Sequence, residues 1–344
     1  MTTDTPTARQ SVSPKPSSGA PKPGGTNPWA AANKAVYRVK DYGIVAVTLV
    51  LFAVLSLSSN DFLTKTNFLN ILNQWSAIGI VAFAVTYVLI AGGFDLSVAS
   101  VFSLSGVIAA KLVGSVGVGP ALVIGMLAGL GMGIVNGVAV VIWQVNSIIA
   151  TLATGFILAG LALKLSNGTL ISVSNPSFEK FGSTTFWGMP LPNWYLILAA
   201  ILFAFVLHRT TFGRYLFASG DNASAAILSG IRVARVRISA FAISGLAAGF
   251  AGVMVASQQS TGQANSLPNL EFDVLAAVIV GGTSILGGAG AVWRTGVGIA
   301  LLAFIQNGSN LLGIDTTYEQ MIYGGIILGA AALDVWARRR AGRA

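Results

Sequence analysis

The segment Ala91-Gly92-Gly93-Phe94-Asp95-Leu96-Ser97-Val98-Ala99-Ser100 places a carboxylate, two hydroxyls and two glycines between two long apolar runs. Such a carboxylate has two chemistries open to it. Inside a bilayer an ionised side chain costs a few kcal/mol, so Asp95 could carry a coupled proton. Asp ahead of an apolar run is also a helix N-cap, accepting the orphan N–H groups of the first turn. The local pattern favours the cap, because Asp95-Leu96-Ser97 opens the next run and a carboxylate there faces the positive helix end.

Few other residues could do chemistry. Cysteine is absent and His208 is the sole histidine, which removes thiolate nucleophiles, Cys-based metal sites and most histidine acid–base catalysis. No G-x-x-x-x-G-K-[ST] run occurs, so the chain supplies no P-loop. An intramembrane enzyme is therefore the least supported class. A passive channel lacks an evident charge ring or filter, and an ion-coupled secondary carrier would rest on Asp95 almost alone.

The elements around these residues follow from composition. The chain has 344 residues, 54% hydrophobic and 9% charged, against roughly 25% charged in soluble proteins. This describes an all-α polytopic membrane protein whose excess apolar surface meets lipid. Residues 1–40 hold six of the eleven prolines among Ser, Thr, Gly and Lys, and read as a disordered basic tail rather than a signal peptide. About ten spans follow within a transmembrane domain over 41–336: 42–59, 74–92, 96–114, 118–142, 147–165, 194–208, 238–257, 272–289, 295–312 and 317–335. A basic C-terminus, 337–344, ends the chain.

An even count puts both termini on one side, together with the loop 209–237. Arg209, Arg214, Arg232, Arg235 and Arg237 in that loop, with the basic tail and end, make this side cytoplasmic by the positive-inside rule. That rule, rather than nucleic-acid binding, accounts for the net charge of +9. Trp75, Trp143, Trp187, Trp194, Trp293 and Trp336 fall at or beyond span ends, as in an interfacial belt. Gly125, Gly129, Gly133 and Gly137 form a smooth helix stripe for close packing, and Gly245–Gly249 and Gly325–Gly329 repeat its spacing. Gly92-Gly93 and 281–288 interrupt the two halves, as helix breaks at a translocation site do. Within the basic loop, Ala223–Leu228 reads as a short helix bracketed by Gly220 and Gly230, with Asn222 as N-cap.

The chain resembles the membrane permease subunits of bacterial ATP-binding-cassette importers for monosaccharides, the ribose/xylose/galactose type. The resemblance covers about 75–335 and rests on four motifs in order. GGFDLSVAS at 92–100 is similar to the family's GGIDLSVGS. Asn136-Gly137 precedes a run, 145–154, similar to V-x-x-F-I-x-T-L-x-T. Gly213, Arg214, Ala218, Gly220, Asn222, Ala225, Ala226, Ser229, Gly230 and Ile231 match the loop pattern GRxxxAxGxNxxAAxxSGI. LEFDVLAAVIVGGTSILGGAGAVWRTGVG, 270–298, resembles the fourth. Phe94, Ala99, Asn146, Ser224, Ile227 and Arg294 depart from the usual residues.

The resemblance implies a subunit of the bacterial inner membrane that works by alternating access, not an enzyme. Its partners would be cytoplasmic ATPase subunits carrying ATP-Mg, a periplasmic sugar-binding protein and a second permease copy; the chain itself would hold no cofactor and no metal. Arg214, Gly220, Asn222, Ala225, Ala226, Ser229 and Gly230 would form the ATPase-coupling loop. A neutral sugar needs no charged carrier site. Breaks and small polar groups at Gly92, Gly93, Asp95, Ser97, Ser100, Asn136, Thr283 and Ser284 would suit its pathway. An amino-acid permease of the same class shares the glycine-rich breaks.

Overall fold

A computed structural model describes residues 28–315, together with 318, 321, 322, 324, 325, 328, 329 and 332. The chain runs through α1 (Pro28–Ser58), α2 (Lys65–Ile90), α3 (Val98–Val116), α4 (Val118–Val141) and α5 (Ser147–Ser166). A segment of short pieces follows: β1 (Ile171–Ser172), α6 (Pro176–Ser183), β2 (Thr185–Phe186) and β3 (Met189–Pro190). Then come α7 (Leu191–Arg209), α8 (Thr211–Asp221), α9 (Ala223–Leu228), α10 (Val233–Gln258), β4 (Thr261–Gly262), α11 (Leu270–Val280) and α12 (Val292–Leu311). Among the described residues, α2, α3, α4, α5, α7 and α10 are long and apolar enough to cross a membrane. Exposed Leu, Ile, Val and Phe side chains such as Leu127, Ile149, Phe156 and Ile201 give α4, α5 and α7 lipid-compatible faces. The protein is an all-α, multi-pass membrane protein.

Several expectations shift. The boundary at residue 40 falls inside α1, which is described from Pro28 onward. α2 begins at Lys65, not near 74, because Thr64 caps it by accepting from Asn67 N–H. That earlier start buries Trp75, 3% exposed, whose Nε1 donates to Gln306 Oε1 on α12 at 2.7 Å. Trp143, Trp187 and Trp293 are exposed as a belt requires, but Trp75 is core. The span expected at 272–289 stops at Val280, where Gly281 and Gly282 end α11. Most of the span 317–335, the end 337–344 and residues 1–27 lie outside the described residues.

α10 is the centre of the bundle, packed on α2, α3 and α4. Its contact with α4 is the glycine stripe expected from sequence. A Cβ on Gly129 would lie 2.7 Å from Gly249 Cα, and one on Gly137 would lie 2.9 Å from Ile238 Cα. Backbones therefore meet directly, and packing and dispersion hold the pair where lipid offers no hydrophobic drive. Among the described residues, a Cβ on Gly325 or Gly329 would meet nothing within 4 Å. At the end away from α8 and α9, β1 pairs antiparallel with β4, tying the segment after α5 to the one after α10.

Candidate functional site

α2 and α11 end by the same local chemistry. Gly92, at φ +81°, returns its N–H to Leu89 O, and Gly93 N–H reaches Val88 O. Gly282, at φ +85°, returns its N–H to Ile279 O, and Thr283 N–H reaches Val278 O. This paired return satisfies the last carbonyls and needs a left-handed residue, which glycine adopts without strain.

The first break then runs through 93–97 to α3. Asp95 is buried, 1% exposed. Its Oδ1 accepts from Ser97 N at 3.1 Å and Ser97 Oγ at 2.6 Å, and its Oδ2 accepts from Ser244 Oγ of α10 at 2.8 Å. Asp95 is thus not the cap of α3. Ser97 holds the cap position and makes no side-chain cap bond, while Asp95 closes a turn two residues earlier. The carboxylate's partners are hydroxyls and one backbone N–H. Charge-assisted bonds of this kind satisfy a buried acceptor.

The network continues outward. Asn136 of α4 donates from Nδ2 to Ser97 Oγ at 2.7 Å, and Thr154 of α5 donates to Asn136 Oδ1 at 2.6 Å. Two backbone groups of the break are held by α5 as well: Phe94 N–H donates to Ser147 Oγ and Leu96 N–H to Thr151 Oγ1, both at 3.1 Å. Thr154 thus donates to Asn136, Asn136 to Ser97 and Ser97 to Asp95, a series that runs toward the carboxylate. The break is therefore non-helical backbone pinned by side chains of α4, α5 and α10.

The second break behaves differently. Ser284 Oγ accepts from Leu286 N–H at 3.1 Å and Ser284 N–H donates to Ala289 O at 2.8 Å, closing a turn. Thr283 is buried and its Oγ1 has no partner. The break joins the first one directly, because Gly288 N–H donates to Ile90 O at 2.9 Å. A Cβ on Gly287 would lie 3.0 Å from Gly92 Cα, and one on Gly220 of α8 would lie 2.6 Å from Gly288 N. Gly92, Gly220 and Gly287-Gly288 thus meet at one point.

The structure brings Asp95, Ser97 and Asn136 into one network and sets Ser100 on the first turn of α3, beside Gly155 of α5. It sets Thr283 and Ser284 in the other break. Sequence reading assigns no role to Ser147, Thr151, Thr154 or Ser244, hydroxyls on otherwise apolar helices; the first three enter it only as part of the run 145–154.

In the basic loop, α9 covers Ala223–Leu228 as expected, and its cap Asn222 accepts from Ala225 N–H at 2.9 Å. Gly230, at φ +82°, ends it by the same paired return, to Ile227 O and from Ile231 to Ala226 O. Ser229 Oγ donates to Ala225 O at 3.0 Å. Ala226 is buried under the helix, while Arg214, Ala225, Ile227 and Leu228 are exposed, Leu228 at 89%. Arg237 of α10 ties the loop to the bundle, donating from Nη2 to Ser219 O at 3.1 Å.

A family model described as "Branched-chain amino acid transport system / permease component" matches residues 67–331. The L-arabinose ABC transporter permease protein AraH of Azospirillum brasilense is 38% identical over 333 residues, 96% of this chain and 96% of that protein. The ribose import permease protein RbsC of Bacillus subtilis (strain 168) is 36% identical, covering 83% of this chain and 89% of its own length. The L-arabinose transport system permease protein AraH of Escherichia coli (strain K12) is 34% identical, covering 87% of this chain and 91% of its own. No solved structure matches.

Proposed function

We propose that this chain, which belongs to the branched-chain amino acid transport system permease-component family, is the membrane subunit of an ATP-driven importer for a monosaccharide, as the names of its relatives suggest. The relatives that match it over most of its length carry ribose and L-arabinose in their names. A solute of that class, of ribose, xylose or galactose type, is the proposed cargo. The polar groups at the first break agree with a neutral solute, because they are hydroxyls and an amide around one satisfied carboxylate.

The observation that carries the coupling role is α9. It stands on a basic loop with Ile227 and Leu228 projecting from the bundle, and Gly220 at the foot of α8 touches both breaks. Exposed apolar side chains on a helix outside the spans suit a groove on a soluble partner. That partner is a cytoplasmic ATPase subunit binding ATP-Mg. A periplasmic sugar-binding protein delivers cargo at the opposite end, and a second permease copy completes the assembly in the bacterial inner membrane, with both termini cytoplasmic. Nucleotide-driven closure of the ATPases moves α9 and exchanges two packings of the bundle.

The test is reconstitution in proteoliposomes with the ATPase and binding protein, followed by a panel of pentoses, hexoses and branched-chain amino acids. Uptake of a sugar that stops on ATP depletion and survives collapse of proton and sodium gradients is expected. Uptake of amino acids alone would reassign the cargo, and gradient-dependent uptake without ATP would make the protein a secondary carrier. Gly230→Pro is expected to uncouple hydrolysis from uptake, since proline cannot adopt φ +82°; unchanged coupling in that variant would remove α9 from the mechanism.

A further inference from the structure

Arg237, Phe241 and Ser244 are spaced four and three residues apart on α10, so they share one face of the helix. Each meets the first break at successive positions. A Cβ on Gly92 would lie 3.6 Å from Arg237 Nη2, and one on Gly93 would lie 3.1 Å from the Phe241 ring. Asp95 Oδ2 accepts from Ser244 Oγ at 2.8 Å. The break therefore lies along α10 for about two turns, roughly 10 Å.

We infer that Asp95 is a positioning residue for transport: it fastens the first break to α10, so that displacement of the α8–α9 loop moves break and helix together. This rests on the importer reading for its transport consequence. The fastening itself rests on three contacts of different kinds. At the loop end, α8 is tied to α10 by Arg237 through Ser219 O, and Gly220 leaves no room between α8 and Ile90. In the middle, Gly93 slots against Phe241 with no side chain of its own to interlock. Only at Asp95 does a directional bond cross between the break and α10. Removing it leaves a smooth glycine-on-ring contact with α10, and the break is then tied by directional bonds to α4 and α5 alone.

α10 is itself fixed on its other side. Gly133 and Gly129 bring α4 onto its backbone at Gly245 and Gly249, with no slack for a methyl group. Asn136 of α4 then holds Ser97 from the far side. Asp95 and Ser97 therefore sit between two helices packed backbone to backbone, and the carboxylate joins the break to α10 as Asn136 joins it to α4. A proton carrier would need a titrating partner or a water path. Asp95 instead has both oxygens occupied by neutral donors.

The experiment uses the assembled complex in nanodiscs, with Asp95→Ala, Asp95→Asn and Ser244→Ala. Two readouts are taken: amide hydrogen exchange in peptides covering 91–97 and 216–222, and sugar transported per ATP hydrolysed. Asp95→Ala and Ser244→Ala are expected to speed exchange at 91–97. Both should lower sugar per ATP at least about fivefold, the factor that loss of one net hydrogen bond gives in an equilibrium. Asp95→Asn is expected to restore most of both, since its amide oxygen accepts from Ser97 and Ser244 can reverse its hydroxyl. Ser244→Ala covers the case in which Asp95→Ala fails to fold, because it removes one donor only. Wild-type exchange and coupling in Ser244→Ala would overturn the inference. Failure of Asp95→Asn to restore coupling would overturn it too, by making the charge itself essential. If the wild-type complex shows no ATP-dependent sugar uptake, the importer reading fails, and the exchange arm alone still decides whether Asp95 fastens the break.

Discussion

The two breaks begin alike and are held by different forces. α2 and α11 both end on a left-handed glycine with a paired backbone return. After Gly93 the chain is secured by side chains: Asp95 to α10, Ser97 to α4, and backbone N–H groups to Ser147 and Thr151 of α5. After Thr283 it is secured by its own turn and by glycines set against other backbones. Polar fastening can be loosened one group at a time, at a cost set by each orphaned partner. A glycine contact fails as a whole, because any Cβ collides with backbone that cannot move aside.

That contrast can be broken most severely at the point the breaks share. Gly220→Val places atoms against Ile90 O and Gly288 N, and is expected to cost at least about 3 kcal/mol, the upper end for overpacking. Loss of assembly, or a large fall in melting temperature in detergent, is the expected readout; wild-type melting would mean the breaks do not meet there. Next is Asp95→Ala, which strands the Ser97 and Ser244 hydroxyls and is expected to cost about 1–3 kcal/mol for the orphaned group. Asp95→Asn should cost less than about 1 kcal/mol by the same denaturation assay. If the two variants melt alike, side chains do not hold the first break.

Gly287→Ala probes the second break where its glycine meets the backbone of the first. Its φ of +87° disfavours a Cβ by about 1–2 kcal/mol, and Gly92 Cα at 3.0 Å adds crowding. The smallest effect belongs to Thr283→Val. The hydroxyl has no partner, so an isosteric apolar group should leave stability within about 0.5 kcal/mol of wild type or raise it. A loss of transport in that variant, with melting unchanged, would assign the hydroxyl to the pathway instead.

Much of this was legible in the residues. Lipid demands long apolar runs, so most helices show as composition alone. The four-residue spacing of glycines on α4 and the matching pair Gly245–Gly249 pointed to a close helix contact, and the two do meet. Asn222, with Gly220 and Gly230 on either side, outlined α9 by cap and breaker chemistry that is local in sequence. What was hidden depended on contacts between distant segments. Ser244 reads as one more small residue on an apolar helix, because a helical hydroxyl can bond its own preceding turn; only the fold sets it against Asp95. The Asp95 turn and a true N-cap differ by backbone torsions two residues apart, which residue type does not reveal. Trp75 was read as interfacial because α2 was started too late, and α11 was run through Gly281-Gly282 because a window of apolar residues outweighed a C-cap signal.

The close seat of α10 between α2, α3 and α4 also constrains how the molecule is made. Synthesis delivers α4 well before α10, since residues 142–232 separate them. Until α10 is inserted, the glycine face of α4 has no protein neighbour on that side and must rest against acyl chains. The glycines of such a face wait at little cost, having no bulky groups to mispack. The Asp95 carboxylate has no such tolerance: its α10 donor arrives only with residue 244. The bond between the first break and α10 therefore cannot form before the chain has grown past residue 244, and the carboxylate waits until then for its last partner.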